Sequence, residues 1–321
     1  MKLLCYRAGL VQRCAVLVAD HEEALEIIDL PDLAEIAARN SGLEKQLSTL
    51  ASADDVVHLA SAPAGVIEAL AASLGSSSAS MVRRKIARTQ LLAPIPQPRR
   101  NIFCVGRNYL EHVREGDLKR GIQTPIPKHP QYFTKPPSAV IGDRQAIEIE
   151  PAVSDKIDYE VELAVVIGRP VRNSDAQTAM ESIFGYTIIN DVTARDLQRR
   201  HDQWFKGKGL DTFCPMGPWV VTRDEIPDPH ALSLKLWVNG DLRQSDSTAH
   251  MHFPIGQLIA ELSQGMTLMP GDVIATGTPP GVGYAMTPPQ FLREGDVVAC
   301  EIAGIGRLTN PVELRPLDQL R

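Results

Sequence analysis

None of the five cysteines, Cys5, Cys14, Cys104, Cys214 and Cys300, stands in a CxxC pair, and their number is odd. That spacing argues against a disulfide framework and against a thiolate zinc site, and reduced thiols of a cytoplasmic protein are expected. No apolar run approaches the roughly 18 residues of a membrane span. Arg7 and Arg13 interrupt any apolar core of a signal peptide near the N-terminus. The net charge is −6 with both signs mixed along the chain. A concentrated basic face, the footprint of nucleic-acid binding, is missing. The short basic run Arg83, Arg84, Lys85 and Arg88 reads as a solvated helix face. No βαβ unit carries a Gly-rich dinucleotide turn. Gly277-Thr-Pro-Pro-Gly-Val-Gly283 is rich in glycine, but its prolines remove N–H donors that a phosphate cradle needs.

With 321 residues, 44% of them apolar, the chain can bury a sizeable core. Residues 1–95 read as a small α+β domain. Leu3 to Tyr6 and Ala15 to Ala19 have strand character, and Leu33 to Ala38 and Val66 to Leu74 repeat apolar residues at helical steps. Pro94, Pro96 and Pro98 then form a stiff connector. Residues 96–321 are expected to be mostly β. Short apolar runs such as Ile102–Val105, Glu160–Ile167, Tyr186–Ile189, Leu234–Val238 and Val297–Ile302 alternate with Gly and Pro. Helices are expected at Ser174–Ser182, Ala194–Gln203 and Ile255–Leu262. This pattern predicts a barrel-like sandwich in place of a doubly wound parallel sheet.

The segment Asp158-Tyr-Glu-Val-Glu-Leu163 concentrates the chemistry. Residues two apart on a strand share a face, so Glu160 and Glu162 project side by side. The apolar run that follows carries the strand into the core. Two adjacent carboxylates there repel unless a cation neutralises them. Asp191 closes the β-run Tyr186-Thr-Ile-Ile-Asn-Asp191 and supplies a third. Three carboxylates form an all-oxygen site suited to Mg²⁺ or Mn²⁺, with Ca²⁺ also accommodated. Open coordination positions suit catalysis. Glu-x-Glu is also common on solvated strand faces, and that reading stays open at this point.

Residues from about 101 to 314 resemble the catalytic domain of the fumarylacetoacetate hydrolase family, of the acylpyruvase-like and 2-hydroxyhepta-2,4-diene-1,7-dioate isomerase-like kind. The matching stretches run in order: Val105-Gly-Arg-Asn-Tyr-Leu-Glu-His112 with Glu115, Phe133-Thr-Lys-Pro-Pro-Ser138, Asp158 to Leu163, Asn190 to Gln198, Gly207 to Phe213, and Gly277-Thr-Pro279. The resemblance implies a mixed β-sandwich roll, commonly a homodimer, with a metal on Glu160, Glu162 and Asp191. It implies a small 2-oxo acid substrate and catabolism of aromatic or related compounds. C–C hydrolysis of a 2,4-dioxo acid is the leading expectation. Isomerisation, hydration or decarboxylation on the same scaffold is the alternative, and a non-catalytic metal-binding protein is the third.

Hydrolysis needs an activated water. His112 and Glu115 are three apart, so one helical turn puts them on one face, where Glu115 can polarise the imidazole. The plainer reading is a surface ion pair, and the resemblance favours the base. The same matching puts Lys208, between two glycines, near substrate oxygens, and Thr278 at a substrate contact. Gln198, about two helical turns beyond Asp191, is expected to donate to the same ligand. Arg107 and Tyr109 are expected to face substrate, and Arg195 either pairs with Asp191 or Asp196 or touches substrate. Residues 106–130, rich in charge, Gly and Pro, are expected to close as a lid.

Overall fold

The computed structural model describes residues 1–63 and 65–315. The last six residues of the expected second domain lie outside that range.

The strand Val161–Ile167 organises the molecule. All seven of its residues are buried, which is why VELAVVI reads as a continuous run after its acid. It pairs antiparallel with Ile183–Asn190 on one side and with Val273–Ala275 on the other. The sheet continues through Ile102–Gly106 to Gln131–Lys135 in one direction, and through Cys214–Thr222 in the other. A five-stranded sheet of Asp241–Ser247, Ser233–Val238, Val297–Ile302, Gly306–Leu314 and Ile147–Ile149 completes the sandwich.

Alternation along the central strand divides the core. Val161, Leu163 and Val165 join a cluster with Leu234, Leu236, Val298 and Leu308 of the second sheet. Ala164 and Val166 face the opposite cluster, with Leu3, Ile28, Leu33 and Val220. Glu162 has the parity of this second face. The two sheets enclose the first cluster and the helix Leu30–Ser41 packs on the second, in keeping with the expected mixed β-sandwich.

Residues 1–95 are continuous with this architecture. Lys2–Ala8 pairs with Cys214–Thr222 through Lys2↔Val221 and Leu3↔Val220. Val11–Asp20, Ala24–Asp29 and Arg84–Ala87 then extend the large sheet outward. The proline connector is packed, not solvated: Ile95 is buried, and the Pro94 carbonyl accepts from Val56 N–H and from the Cys5 thiol. The five cysteines are free and buried.

Two local expectations are corrected. The basic run is not a helix face. Arg84 and Lys85 lie on the strand Arg84–Ala87, with Arg84 paired to Asp29, and Arg88 pairs with Asp20 and Asp143. Buried Asp29 and Asp143 on neighbouring elements claim Arg84 and Arg88, which a sequence window does not reveal. The helix expected over Ala194–Gln203 is shorter, Arg195–Arg200, and Phe205–Lys208 forms a separate turn of helix. Among the described residues, no helix is long and apolar enough to cross a membrane.

Candidate active site

Asp158, Glu160 and Glu162 lie at the entrance of the central strand, and Asp191 follows the end of its neighbour. Oxygens of Glu160, Glu162 and Asp191 lie within 4.8 Å of one another, and all three residues are buried. The solvated-face reading therefore fails for this pair of glutamates. Burial alone would push Glu160 up, but Lys208 and Arg195 beside it hold its carboxyl well below the usual range. Burial pushes Glu162 well above that range, and the charges of Asp191 and Glu160 push it further. Its Oε2 accepts one hydrogen bond, from Gly277 N–H at 2.8 Å.

Cations pack behind and beside the acids. Lys208 Nζ donates to Glu160 Oε2 at 2.7 Å and to Asp191 Oδ2 at 2.6 Å. Lys135 Nζ lies 2.7 Å from Asp191 Oδ1. Its protons go to the carbonyls of Val192, Lys208 and Phe213 instead. Asp191 Oδ1 consequently accepts no hydrogen bond although it is buried. Arg195 Nε donates to Asp158 Oδ2 at 2.8 Å, and its Nη2 lies 2.6 Å from Glu160 Oε1. With all four ionised, the carboxylates (Asp158, Glu160, Glu162, Asp191) against three cations (Lys135, Lys208, Arg195) leave one negative charge. A buried acceptor without a donor, an acid without a cation and an all-oxygen donor set fit a hard divalent ion. Glu160, Glu162 and Asp191 would hold it.

A cavity of about 300 Å³ opens from this cluster, lined among others by Arg107, His112, Gln198, Lys208 and Thr278. His112 Nδ1 lies 2.8 Å from Glu115 Oε1, which leaves Nε2 for the cavity. Glu115 does not line it but sits behind, with Oε2 accepting from Gly281 N–H at 2.9 Å. Both residues come from the helix Leu110–Arg120, as the spacing implied. Val113, Gly116 and Arg120 of that helix also line the cavity.

Other expected residues are placed differently from their sequence rationale. Gln198 lines the cavity, yet Asp191 precedes the helix, so two turns of helix do not separate them. Gln198 Oε1 instead accepts from Arg195 Nη1 at 3.2 Å. The Thr278 hydroxyl donates to the Val161 carbonyl and accepts from Gln244. Tyr109 caps the start of its helix, is buried in the core and does not line the cavity. Its hydroxyl has no hydrogen-bond partner among the described residues, and burial raises its pKa, with Glu162 adding to the effect.

Several residues of the site escaped the sequence reading. Asp158 has the parity of Glu160 and Glu162, a signal that period-two reading could have used. It accepts from Gly283 and Tyr284 N–H as well as from Arg195. Lys135 sits in the Phe-Thr-Lys-Pro stretch with no local hint of its target. Tyr284 stacks under Arg195, 4.5 Å from the ring centroid, and its hydroxyl lies where a side chain on Gly116 would project.

The family model for the C-terminal part of fumarylacetoacetate hydrolase matches residues 101–313. Oxaloacetate tautomerase YisK of Bacillus subtilis is 48% identical over 227 residues, 71% of this chain and 74% of that protein. A fumarylacetoacetate hydrolase structure from Exiguobacterium antarcticum is 37% identical, with a TM-score of 0.75 over 98% of this chain and 100% of its own. Maleylpyruvate hydrolase from Sphingobium sp. SYK-6, in complex with manganese (II) ion and pyruvate, is 29% identical with a TM-score of 0.71 over 98% and 100%.

Proposed function

The chain belongs to the fumarylacetoacetate hydrolase family, and from that premise we propose that it is a divalent-metal-dependent tautomerase of a 2-oxo acid of the oxaloacetate type. The observation that carries this reading is the arrangement of His112 and the carboxylate cluster on one cavity. Enol–keto exchange moves one proton between the 2-oxo oxygen and C3. A divalent cation held by Glu160, Glu162 and Asp191 would supply Lewis acidity to the bound 2-oxo acid. His112 Nε2, with Nδ1 held by Glu115, gives or takes the proton at C3. Lys208 uses two protons on Glu160 and Asp191, so a third remains for the developing oxyanion. Burial disfavours its charge, but Asp191 and Glu160 outweigh that and raise its pKa, so it stays an ammonium. The 48% identical relative named as an oxaloacetate tautomerase supports this choice of reaction.

C–C hydrolysis, the leading expectation from sequence, is the second reading. The same His112–Glu115 pair can take a proton from water, and a hydrolase stands among the similar structures. Proton NMR of oxaloacetate and of acetylpyruvate in D₂O with Mg²⁺ separates the two. A tautomerase is expected to accelerate deuterium entry at C3 of oxaloacetate with no cleavage products. Conversion of acetylpyruvate to pyruvate and acetate, without accelerated exchange in oxaloacetate, would replace it with the hydrolase.

A further inference from the structure

Seven side chains bring a full positive charge or an imidazole to the cavity wall, and four of them already have an acid. Arg195 pairs with Asp158 and Glu160, Lys208 with Glu160 and Asp191, Arg120 with Asp117, and His112 with Glu115. Arg107, Arg199 and His201 line the same cavity and have no carboxylate partner among the described residues, and of these the two arginines carry a permanent charge.

Each of the two arginines lies against an aromatic ring, Arg107 half-buried and Arg199 exposed. The Arg107 guanidinium lies 5.7 Å from the Trp204 ring centroid, and that of Arg199 lies 5.0 Å from the Tyr284 ring centroid. Stacking fixes the plane of a guanidinium while leaving its N–H edge free for a carboxylate. Arg107 also has φ 59°, a left-handed backbone that non-glycine residues rarely adopt and that clusters at ligand clamps. Its neighbour Gly106 has no room for a side chain, because a Cβ there would lie 2.3 Å from the Trp204 ring.

Each aromatic platform reaches the inner cluster. Trp204 meets Phe133 edge-on at 5.4 Å, and Phe133 carries Lys208 Nζ 5.1 Å from its ring. Tyr284 lies against both Arg199 and Arg195. The two unpaired arginines are thus each tied through aromatic side chains to a cation of the carboxylate cluster.

We propose that Arg107 and Arg199 form an outer anion subsite that binds the second, distal carboxylate of the substrate and so selects 2-oxo dicarboxylates over 2-oxo monocarboxylates. The charge balance agrees: a divalent cation turns the inner cluster from one net negative to one net positive charge, and the two arginines add two more. A dianion complements that wall better than a monoanion. The inference rests on reading the cavity as a 2-oxo acid site.

Calorimetric titration of the Mn²⁺-loaded full-length protein tests it with three nonreacting probes. Malate has a distal carboxylate, 2-hydroxybutanoate has the same carbon chain without one, and oxalate reaches only the inner cluster. The wild type is expected to bind malate more tightly than 2-hydroxybutanoate. Arg107→Met and Arg199→Met are each expected to weaken malate roughly tenfold, in line with one charge-assisted contact, and to leave oxalate and 2-hydroxybutanoate unchanged. Unchanged oxalate binding also reports that the variants are folded. Equal wild-type affinity for malate and 2-hydroxybutanoate, or a parallel loss of oxalate and malate, would overturn the subsite. Arginine-dependent malate selectivity in a protein that does not tautomerise oxaloacetate would remove the tautomerase reading and leave the subsite standing.

Discussion

The imidazole of His112 meets a neighbour that is itself anchored. Glu115 holds Nδ1 with one oxygen and the Gly281 amide with the other, so the fold itself orients the imidazole. His112→Asn is expected to lower turnover by roughly 10²–10⁴-fold while Mn²⁺ affinity, measured by calorimetry, stays near wild type. Equal loss of metal and activity would make His112 part of the metal site instead. A second residue-scale prediction concerns Asp117. Its carboxylate accepts from both the side chain and the amide of Thr124, which hold it below its ordinary value, with Arg120 helping. A depressed carboxylate stabilises the fold above its unfolded pKa, about 3.9, and loses that contribution as pH falls through the folded value. Urea midpoints should therefore fall in wild type as pH drops below that point, and Asp117→Asn should flatten this part of the curve. An unchanged slope in the variant would remove Asp117 from the account. At this scale the acids were legible in the sequence and their partners were not. Period two selects Glu160 and Glu162, and a strand end selects Asp191. Lys135, 56 residues before Asp191 in the chain, reaches it only once strands are paired.

Elements meet around the cavity with little slack. The helix Leu110–Arg120 is fastened to the 281–287 loop by Glu115, by the Tyr284 hydroxyl against Gly116, and by Lys119 Nζ on the Met286 carbonyl at 2.6 Å. If residues 106–130 act as a lid, they close together with that loop. Hydrogen exchange with Mn²⁺ and oxalate is expected to slow in both 106–130 and 281–287, and slowing in neither would end the lid idea. Helices Arg195–Arg200 and Phe205–Lys208 pack so closely that a Cβ on Gly207 would lie 2.4 Å from the Gln198 amide nitrogen. Backbone cannot rotate away as a side chain can. Gly207→Ala is expected to cost about 1–3 kcal/mol, read as a lower thermal midpoint, and it should also disturb Lys208. A neutral substitution would mean that the two helices separate easily. The sequence suggested one long helix here because Ala194 to Gln203 has helical composition. The turn after Arg200 is imposed by the need to return Lys208 to the carboxylates, a tertiary requirement that propensity does not carry.

The whole molecule is built around a sheet that crosses from the first 95 residues into the rest. Strand character near the N-terminus and the mostly β remainder were both readable from alternation and turn residues. That Lys2–Ala8 adds to the central sheet beside Cys214–Thr222 was not, because register between strands more than 200 residues apart leaves no local trace. Removing residues 1–95 would expose that edge and the apolar face containing Val220, Ala164 and Val166. The shortened chain is expected to aggregate on expression, and a soluble, cooperatively melting 96–321 fragment would show that the first segment is an accessory.

The proposed function requires three buried carboxylates to hold a divalent cation that works with His112 on a 2-oxo acid. Its most direct test follows the ultraviolet loss of enol oxaloacetate while Mn²⁺ is titrated into metal-stripped protein, beside Glu162→Ala and His112→Asn. The rate is expected to saturate as one Mn²⁺ binds per chain, to show no Mn²⁺ dependence in Glu162→Ala, and to be slow with intact Mn²⁺ binding in His112→Asn. Full turnover by chelator-treated wild type, or by Glu162→Ala, would contradict it.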